Sequence, residues 1–388
     1  MPRHTTLHHH LLTLALCLGM SAGMGKPAAI GAEIVLENVE SEEATFHVER
    51  VVDNLHHPWG FQFLPDGSII ITERRGRLLR WHDGETHRIS GLPDIAARGQ
   101  GGLLDIVLDP NFTDNRTIYF AYSARYDSGI GTRVSRAVLG EDDQLHELTT
   151  IFSMDPPGRG GRHFGCRLAF HPDGSLWIAI GDRGDRDRAQ ERHNHHGTLL
   201  RVDRDGNAMP DNPFVDEDGV LPEIYSYGHR NAQGLWIDPR DGTVWQNEHG
   251  PQGGDTLNRI TAGANYGWPL ATYGEEYGGG RIGVYPHERD DITNPTLHWT
   301  PSIAVSGLTG FTSDTIPGWH NNLFNGALRG MHIRRVVVDE DGQVTHQETL
   351  LHNQVGRIRE LHQGPDGNLW FCTDEAQGGL YRFWLSGG

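Results

Sequence analysis

The chain has 388 residues and carries 51 Asp and Glu residues against 33 Lys and Arg residues, which gives a formal net charge of −18. An acidic surface of this kind repels nucleic acid and anionic lipid, and the sequence contains no basic face that would support a nucleic-acid partner. Glycine occurs 51 times. This is roughly twice its usual ~7% share, and such a composition favours short strands and tight turns over helices.

The first 32 residues have the pattern of an export signal. Arg3 lies in a short polar start, the apolar stretch 11–20 is too short to span a bilayer, and small residues follow it. A buried N-terminal helix is the alternative. We therefore expect a signal peptide over residues 1–32, with an approximate cleavage position, and a periplasmic or secreted protein. No later apolar run is long enough to cross a membrane.

The cysteine and histidine patterns predict no metal cluster. Removal of the signal leaves Cys166 and Cys372, which lie far apart in the chain and give no disulfide framework. We expect buried free thiols, with a bridge in an oxidising compartment as the alternative. His193, His195 and His196 lie in a polar loop without zinc-ligand spacing, and we expect them to be solvated.

One phrase recurs along the chain: a turn containing Pro, Asp and Gly, followed by an alternating apolar strand. Asp-Gly between two apolar runs is a strong hairpin signal, so each copy is predicted to join an incoming strand to an outgoing one. The copies span residues 64–72, 171–179, 238–245 and 364–371, and a weaker copy begins at 109–112.

Hairpins repeated every roughly 45–70 residues are typical of propeller blades. Five hairpins can be recognised in the sequence, and residues 322–328 offer a divergent sixth. We therefore predict an all-β fold, in which residues 33–388 form one six-bladed β-propeller domain; a repeated sandwich is the alternative. Long glycine-rich loops at 182–197, 250–265 and 273–294 would gather at one mouth of the channel, where a ligand would bind.

His163 is the candidate for proton transfer. It lies in the glycine-rich segment 160–165, just before the strand-like run 168–180, so little side-chain bulk shields it from a ligand. Its unperturbed pKa, near ~6.5, allows the imidazole to accept a proton at neutral pH.

Polar groups at predicted strand entries form a candidate anion site. The guanidinium fork binds carboxylates bidentately, so several arginines near a channel suit a planar ligand with several carboxylates. Pairing of each arginine with a local acidic residue is the alternative. On a strand, Arg357 and Arg359 would project to the same face. The candidates are Gln100 in a glycine-rich turn, Arg230 and Asn231 before a strand, Arg329 with its neighbours Ala327 and Leu328, and Arg357 with Arg359.

The segment 248–255 contains a Gly-Pro turn at Gly250 and Pro251. Such a turn directs backbone carbonyls outward, and carbonyl oxygens are suitable ligands for calcium. The alternative is that the pair serves only as a turn.

At these residues the chain resembles the soluble pyrroloquinoline quinone (PQQ)-dependent aldose sugar dehydrogenases of the glucose/sorbosone dehydrogenase family. The resemblance runs from about Val51 to Phe383. The motifs that carry it, in order, are His-Phe-Gly-x-Arg-Leu from His163, Gly-His-Arg-Asn-x-Gln-Gly from Gly228, Glu-His-Gly-Pro-Gln-Gly-Gly-Asp from Glu248, Asn-Tyr-Gly-Trp-Pro from Asn265, and Arg-Ile-Arg from Arg357.

The resemblance implies a six-bladed propeller with PQQ in the top of its channel, and oxidation of the anomeric hydroxyl of an aldose to a lactone. It implies that His163 is the base and that hydride passes to the quinone, with Arg230 stabilising the developing oxyanion. Gly250 and Pro251 would bind a calcium ion that polarises the quinone. The implied cofactor-contacting residues are Gln100, Arg230, Asn231, Tyr277, Ala327, Leu328, Arg329, Arg357 and Arg359.

Several positions depart from the family pattern. Arg329 stands where the family often has Lys, and Thr256 replaces a Glu that, with Tyr266, commonly binds a second, structural calcium. Arg162 and Arg183 stand where some members carry uncharged or acidic residues, so substrate preference does not transfer.

Two other functions remain as alternatives: a calcium-dependent propeller lactonase and a binding propeller without catalysis. The expected partners are a small sugar and an unidentified electron acceptor, and the protein would be a monomer or a homodimer.

Overall fold

The computed structural model describes Met1, residues 32–316 and residues 318–385. The expected export signal, apart from its two end residues, lies outside the described residues. Within the described ranges, no helix has both the length and the apolar character that a membrane crossing requires.

The described residues form 25 strands in six sheets. In chain order they are β1 (Glu33–Glu40), β2 (Thr45–Leu55), β3 (Pro58–Phe63), β4 (Ile69–Glu73), β5 (Arg77–His82), β6 (Glu85–Ile89), β7 (Leu103–Leu108), β8 (Thr117–Tyr126), β9 (Gly129–Leu139), β10 (Leu145–Ser153), β11 (Gly165–Phe170), β12 (Leu176–Ile180), β13 (Thr198–Val202), β14 (Ile224–Tyr227), β15 (Ala232–Ile237), β16 (Val244–Glu248), β17 (Asp255–Arg259), β18 (Leu297–Trp299), β19 (Val305–Phe311), β20 (Asn322–Ala327), β21 (His332–Val338), β22 (Val344–Leu350), β23 (Ile358–Gln363), β24 (Leu369–Thr373) and β25 (Gly378–Leu385). The helical elements are α1 (Phe112–Asn115) and the 3-10 turns Arg186–Gln190 and Pro286–Glu288.

The six sheets are the blades of a propeller. Five of them are four-stranded antiparallel meanders, β3–β6, β7–β10, β11–β14, β15–β18 and β19–β22. The first strands of neighbouring blades contact each other around the ring, and β23 contacts β3 to complete it. The sixth blade joins the two ends of the chain, because β23, β24 and β25 are followed in the sheet by β2 and β1. The predicted six-bladed fold is confirmed.

The recurring turn joins the first two strands of a blade, as the hairpin pattern predicts. In the first blade the Gly67 N–H donates to the carbonyl of Leu64 at 3.0 Å, and Gly67 has a φ of 83°. That left-handed conformation favours glycine. The Asp66 carboxylate accepts hydrogen bonds from both the N–H and the hydroxyl of Ser68, at 2.9 and 2.6 Å. The same aspartate-to-serine pattern recurs between Asp173 and Ser175 in the third blade.

Hydrophobic cores lie between neighbouring blades. Ile70 and Leu78 of the first blade pack with Ile106 and Phe120 of the second, and all four side chains are fully buried. Each sheet therefore buries both faces, which explains why second strands such as β4, β12 and β24 begin with continuous apolar runs rather than with an alternating pattern.

Both cysteines are buried free thiols, as expected. The expectation that the 193–196 loop is solvated is wrong for two of its three histidines. His195 and His196 are buried, because the loop folds inward and supplies partners: Nε2 of His195 lies 2.8 Å from Glu223, and the ring of His196 lies 3.0 Å from the Asn194 side-chain oxygen.

Candidate active site

His163 lies in a constrained loop that precedes β11. Its φ is +52°, a left-handed conformation that a residue with a side chain seldom adopts. Two contacts hold it there: its N–H donates to the side-chain oxygen of Gln100 at 2.7 Å, and its carbonyl accepts the N–H of Arg183 at 3.2 Å. The backbone therefore fixes the direction of the imidazole before any ligand binds.

A buried carboxylate orients the His163 ring. Nδ1 of His163 lies 2.7 Å from Asp182 Oδ1, and the other oxygen of Asp182 accepts the indole N–H of Trp268 at 2.8 Å. Burial alone would raise the pKa of Asp182, but hydrogen bonds from His163 and the N–H of Gly184 hold that pKa below its usual value. An ionised carboxylate only accepts hydrogen bonds, so Nδ1 carries the proton and Nε2 presents a lone pair.

The pKa of His163 is lowered, so the neutral imidazole is favoured. Burial is the largest cause, and the positive charges of Arg230 and Arg162 act in the same direction, against the opposing effect of Asp182. A neutral imidazole with a free Nε2 is the form that can accept a proton.

Arg230 lies on the same side of the molecule as His163, because its carbonyl accepts the N–H of Asp182 at 2.8 Å. Its guanidinium donates to the carbonyl of Gly250 at 2.7 Å and lies over the ring of Trp268 at 5.2 Å. The Tyr277 hydroxyl is 3.5 Å from the same guanidinium, although the Tyr277 side chain is largely exposed. The guanidinium Nε is buried and has no partner among the described residues.

A cavity of about 160 Å³ lies next to this loop. Its wall contains amide side chains and guanidinium groups between apolar surfaces from Trp59, Leu104 and Phe164. The polar lining includes Gln100, Asn231, Gln233, Arg74, Arg357 and Arg359. Strands β7, β11, β15 and β23 begin at or next to these residues, so the innermost strands of four blades place them at the same end of the channel.

The cavity lining contains three guanidinium groups, those of Arg74, Arg357 and Arg359, and one carboxylate, that of Asp374. Asp374 binds Arg359 at 2.8 Å, lies 3.8 Å from Arg357, and accepts a hydrogen bond from His57 at 2.7 Å. Burial lowers the pKa of Arg74, and the charges of Arg359 and Arg357 add to this effect against the opposing charge of Asp374. This balance leaves an excess of positive charge in the cavity.

Arg74 and Asp374 belong to the site and were missed by the sequence reasoning. They lie at the ends of β4 and β24, which are far apart in the chain. Each is the charged residue that directly follows the fully buried second strand of a blade, and this position is the signal that could have identified them. Arg357 precedes β23 rather than lying within it, but both it and Arg359 approach Asp374, as expected for one face.

The segment 327–329 contributes unequally. Ala327 is fully buried in β20, and Leu328 lines the cavity, where its carbonyl accepts a hydrogen bond from Arg357 at 3.3 Å. Arg329 is exposed and does not line the cavity, and its backbone N–H donates to Ile303 at 3.1 Å.

The Gly-Pro turn lies beside Arg230, and carbonyl oxygens converge on it. A Cβ placed on Gly250 would lie 2.2 Å from the Gly253 carbonyl oxygen and 2.4 Å from that of Gly254. Among the described residues, no three His, Cys, Asp or Glu side chains form a metal-binding group. A cation here would therefore rely on carbonyls, such as those of Gly250 and Pro251, and on oxygens from a bound molecule.

Tyr266 and Thr256 line the same small cavity as Gly250. The Tyr266 hydroxyl donates to the Arg259 carbonyl at 2.7 Å and accepts the Thr261 N–H at 3.0 Å, so it is already satisfied by backbone. The Thr256 hydroxyl is buried without a partner among the described residues.

The chain is thus a six-bladed propeller with a cationic cavity beside an imidazole–carboxylate pair, and comparison with known proteins identifies its family. The model of the glucose/sorbosone dehydrogenase family matches residues 55–382. The chain therefore belongs to the glucose/sorbosone dehydrogenase family.

Relatives and solved structures agree with this membership. The chain is 41% identical over 348 residues to the aldose sugar dehydrogenase YliI of Escherichia coli, an alignment that covers 87% of this chain and 93% of YliI. The structure superposes on the apo form of the soluble E. coli aldose sugar dehydrogenase with a TM-score of 0.85 at 40% identity, covering 88% of this chain and all of that one. The PQQ-bound aldose sugar dehydrogenase of Streptomyces coelicolor matches with a TM-score of 0.73 at 28% identity, with the same coverage.

Proposed function

We propose that this protein is a PQQ-dependent dehydrogenase that oxidises the anomeric hydroxyl of aldose sugars to lactones. The observation that carries the proposal is the position of the His163–Asp182 pair beside a cavity with more guanidinium groups than carboxylates. Family membership and the PQQ-bound relative support the cofactor.

The cavity residues fit a flat, polyanionic cofactor. Nε of Arg359 and Nε of Arg230 are both buried and lack partners among the described residues, so each retains a donor for a ligand oxygen. Arg74 and Arg357 add positive charge at the same end of the channel, and Trp59 supplies a flat apolar wall. In this proposal, Arg359, Arg357 and Arg74 bind the cofactor carboxylates, while Gln100, Asn231 and Tyr277 contact its edges. The backbone at Leu328 also contacts the cofactor, and its neighbours Ala327 and Arg329 hold that backbone in place.

PQQ, when bound, would accept the hydride of the anomeric carbon, which carries both electrons of the oxidation. The residues of the chain take up the proton and stabilise the charges that develop during the reaction. Nε2 of His163 takes the proton of the anomeric hydroxyl, while Asp182 keeps the tautomer and orientation of the ring and stabilises the imidazolium that forms. Trp268 holds Asp182 by its indole N–H. Arg230 stabilises the negative charge that develops on the substrate oxygen.

Calcium binding is also part of the proposal. The carbonyls of Gly250 and Pro251 would hold the ion next to Arg230, and its charge would add a Lewis acid to the site. Tyr266 is proposed to help form a second, structural calcium site. The Thr256 hydroxyl, which is buried without a partner among the described residues, would contribute an oxygen there in place of the Glu that the family commonly has. We further propose export to the periplasm or beyond the cell, with residues 1–32 removed.

The test is reconstitution of the purified protein. We expect dye-linked oxidation of aldoses only when PQQ and calcium are both added. His163→Ala should bind PQQ yet lose about 10²–10⁴-fold in rate, the usual contribution of a positioned base. Reconstituted protein that binds PQQ and oxidises no aldose or polyol would contradict the substrate assignment. Hydrolysis of lactones without added quinone would support the lactonase instead.

A further inference from the structure

A second and larger cleft, of about 860 Å³, opens beside the proposed base. The segment 158–162, which ends immediately before His163, forms part of its lining. The same segment borders the first cavity, because the Gly161 carbonyl accepts the N–H of Gln100 at 2.8 Å and Gln100 lines that cavity. The segment 158–162 therefore connects the wall of the cleft with the wall of the first cavity.

Four arginines line this cleft in a protein whose net charge is −18: Arg159, Arg162, Arg183 and Arg188. Arg188 pairs with Asp185 at 2.9 Å, and Asp185 is the carboxylate in the lining. Arg159 and Arg162 are exposed, and neither forms an ion pair with a described residue. Two guanidinium groups are therefore free to bind an anion.

Arg183 has a structural role in the cleft, since its side chain binds backbone carbonyls of the segment that lines it. Its side chain is almost fully buried and donates to the Gly160 carbonyl at 2.7 Å, to the Ile130 carbonyl at 3.1 Å and to the Arg162 carbonyl. Its guanidinium lies 3.3 Å from the centre of the Phe164 ring. These contacts fix the backbone that presents Arg162.

Gly184 makes room for the Arg162 side chain. A Cβ at Gly184 would lie 2.4 Å from Nε of Arg162, so a larger residue would displace this guanidinium. Arg162 and His163 are adjacent, with Cα atoms about 3.8 Å apart. The charge of Arg162 also contributes to the lowered pKa of His163, so this guanidinium lies within electrostatic range of the proposed base.

We propose that this cleft binds the anionic group of an acidic aldose, a carboxylate or a phosphate remote from the anomeric carbon, and that Arg159 and Arg162 are its specificity determinants. The inference rests on the proposed function, because it assigns the substrate class of that same site. Guanidinium groups form charge-assisted, bidentate hydrogen bonds with both anions. A neutral sugar would leave both arginines without partners.

The test compares D-glucuronate and glucose 6-phosphate with D-glucose in the reconstituted enzyme. We expect a higher kcat/KM for at least one anionic sugar, and the two anions distinguish carboxylate from phosphate. Added salt should raise the KM of the anionic sugar and leave that of glucose nearly constant, because exposed charges are screened. In the double variant Arg159→Gln/Arg162→Gln, the ratio of anionic to neutral kcat/KM should fall roughly threefold to tenfold.

The matched control is Arg88→Gln, which removes an exposed arginine from β6, in another blade, and should leave this ratio unchanged. Oxidation of glucose with no preference for either anionic sugar would overturn the inference while leaving the proposed function intact. If no aldose is oxidised, the proposed function fails, and calorimetric titration of the purified protein with D-glucuronate then decides the inference. Binding that is weakened in the double variant supports an anion site, and equal or absent binding overturns it.

Discussion

Asp182 lies 2.7 Å from Nδ1 of His163 and, through its other oxygen, accepts the Trp268 indole N–H at 2.8 Å. The carboxylate is thus fixed on both sides, and the imidazole it orients belongs to the residue that directly follows the glycine-rich segment 158–162. This relationship gives His163 a defined tautomer before substrate binds, while burial keeps the pKa of His163 below its usual value against the opposing effect of Asp182.

The first prediction concerns the acid limb of the pH–rate profile. The pKa of His163 lies below its ordinary value of 6.5, because burial disfavours the imidazolium. Activity that needs the neutral ring should persist above this lowered pKa and fall as the pH drops through it. We expect kcat/KM to lose activity with an apparent pKa below 6.5, measured with a neutral aldose. An acid limb with a midpoint well above 6.5 would contradict this assignment.

The second prediction concerns Asp182→Asn. The Asp182 carboxylate raises the pKa of His163 against burial, so its removal should lower that pKa and move the acid limb to lower pH. The amide can also donate to Nδ1, which would place the proton on Nε2 and remove the free lone pair. We expect the plateau rate to fall by about 10²–10⁴-fold.

A merely structural role for Asp182 would give a different pattern. The rate would then fall with no shift of the acid limb, and PQQ affinity would decrease in parallel. The comparison variant is Trp268→Phe, which removes the indole donor to Asp182 and should have a smaller effect of the same direction.

The third prediction concerns stability and Asp374. Burial opposes ionisation of Asp374, but Arg359, His57 and Arg74 hold its pKa well below the usual range. A carboxylate with a depressed folded-state pKa contributes stability above its unfolded pKa of about 3.9, and that contribution is lost as the pH falls. Asp374→Asn should destabilise the protein at pH 7 by about 3–5 kcal/mol, since it leaves buried guanidinium groups unpaired.

Urea unfolding without cofactor measures this loss, and the difference from the parent protein should shrink toward acid pH. Saturating PQQ should recover part of it, because its carboxylates would face the same guanidinium groups. Asp218→Asn, at an exposed position, is the control and should change little. A fully stable Asp374→Asn protein would mean that the guanidinium groups do not need a counter-charge.

The fourth prediction concerns the thiols. Burial raises the pKa of both Cys166 and Cys372 to about 12, so almost no thiolate forms at neutral pH. In protein that lacks the first 32 residues, Ellman's reagent should detect no thiol in the native state and two after denaturation. Fewer than two in the denatured protein would indicate a disulfide instead.

The sequence predicted the parts of this molecule that depend on local rules. The Asp-Gly hairpins locate the first turn of most blades, because a left-handed glycine and an aspartate that accepts hydrogen bonds are local requirements. His163, Arg230 and Arg359 were identified from glycine-rich and arginine-rich motifs. The roles assigned to them remain proposals.

These local rules do not predict which residues pair across the junction of two blades. Asp374 binds Arg359 and His57, which come from opposite ends of the chain, and only closure of the ring brings them together. The burial of His195 was missed for a different reason, since its partner Glu223 belongs to the same blade but follows a long loop. From its polar composition alone, this loop was expected to be solvated. In the structure its buried histidines instead find hydrogen-bond partners within the protein.

The cationic cavity is proposed to bind PQQ, and equilibrium titration of the purified protein with PQQ tests this directly. Binding followed by absorbance, with and without calcium, should saturate at one PQQ per chain and tighten when calcium is present. Arg359→Gln should weaken it by about tenfold or more, as the loss of a charge-assisted pair implies, and Arg88→Gln should not. Absence of saturable binding, or equal affinity in Arg359→Gln, would contradict the account.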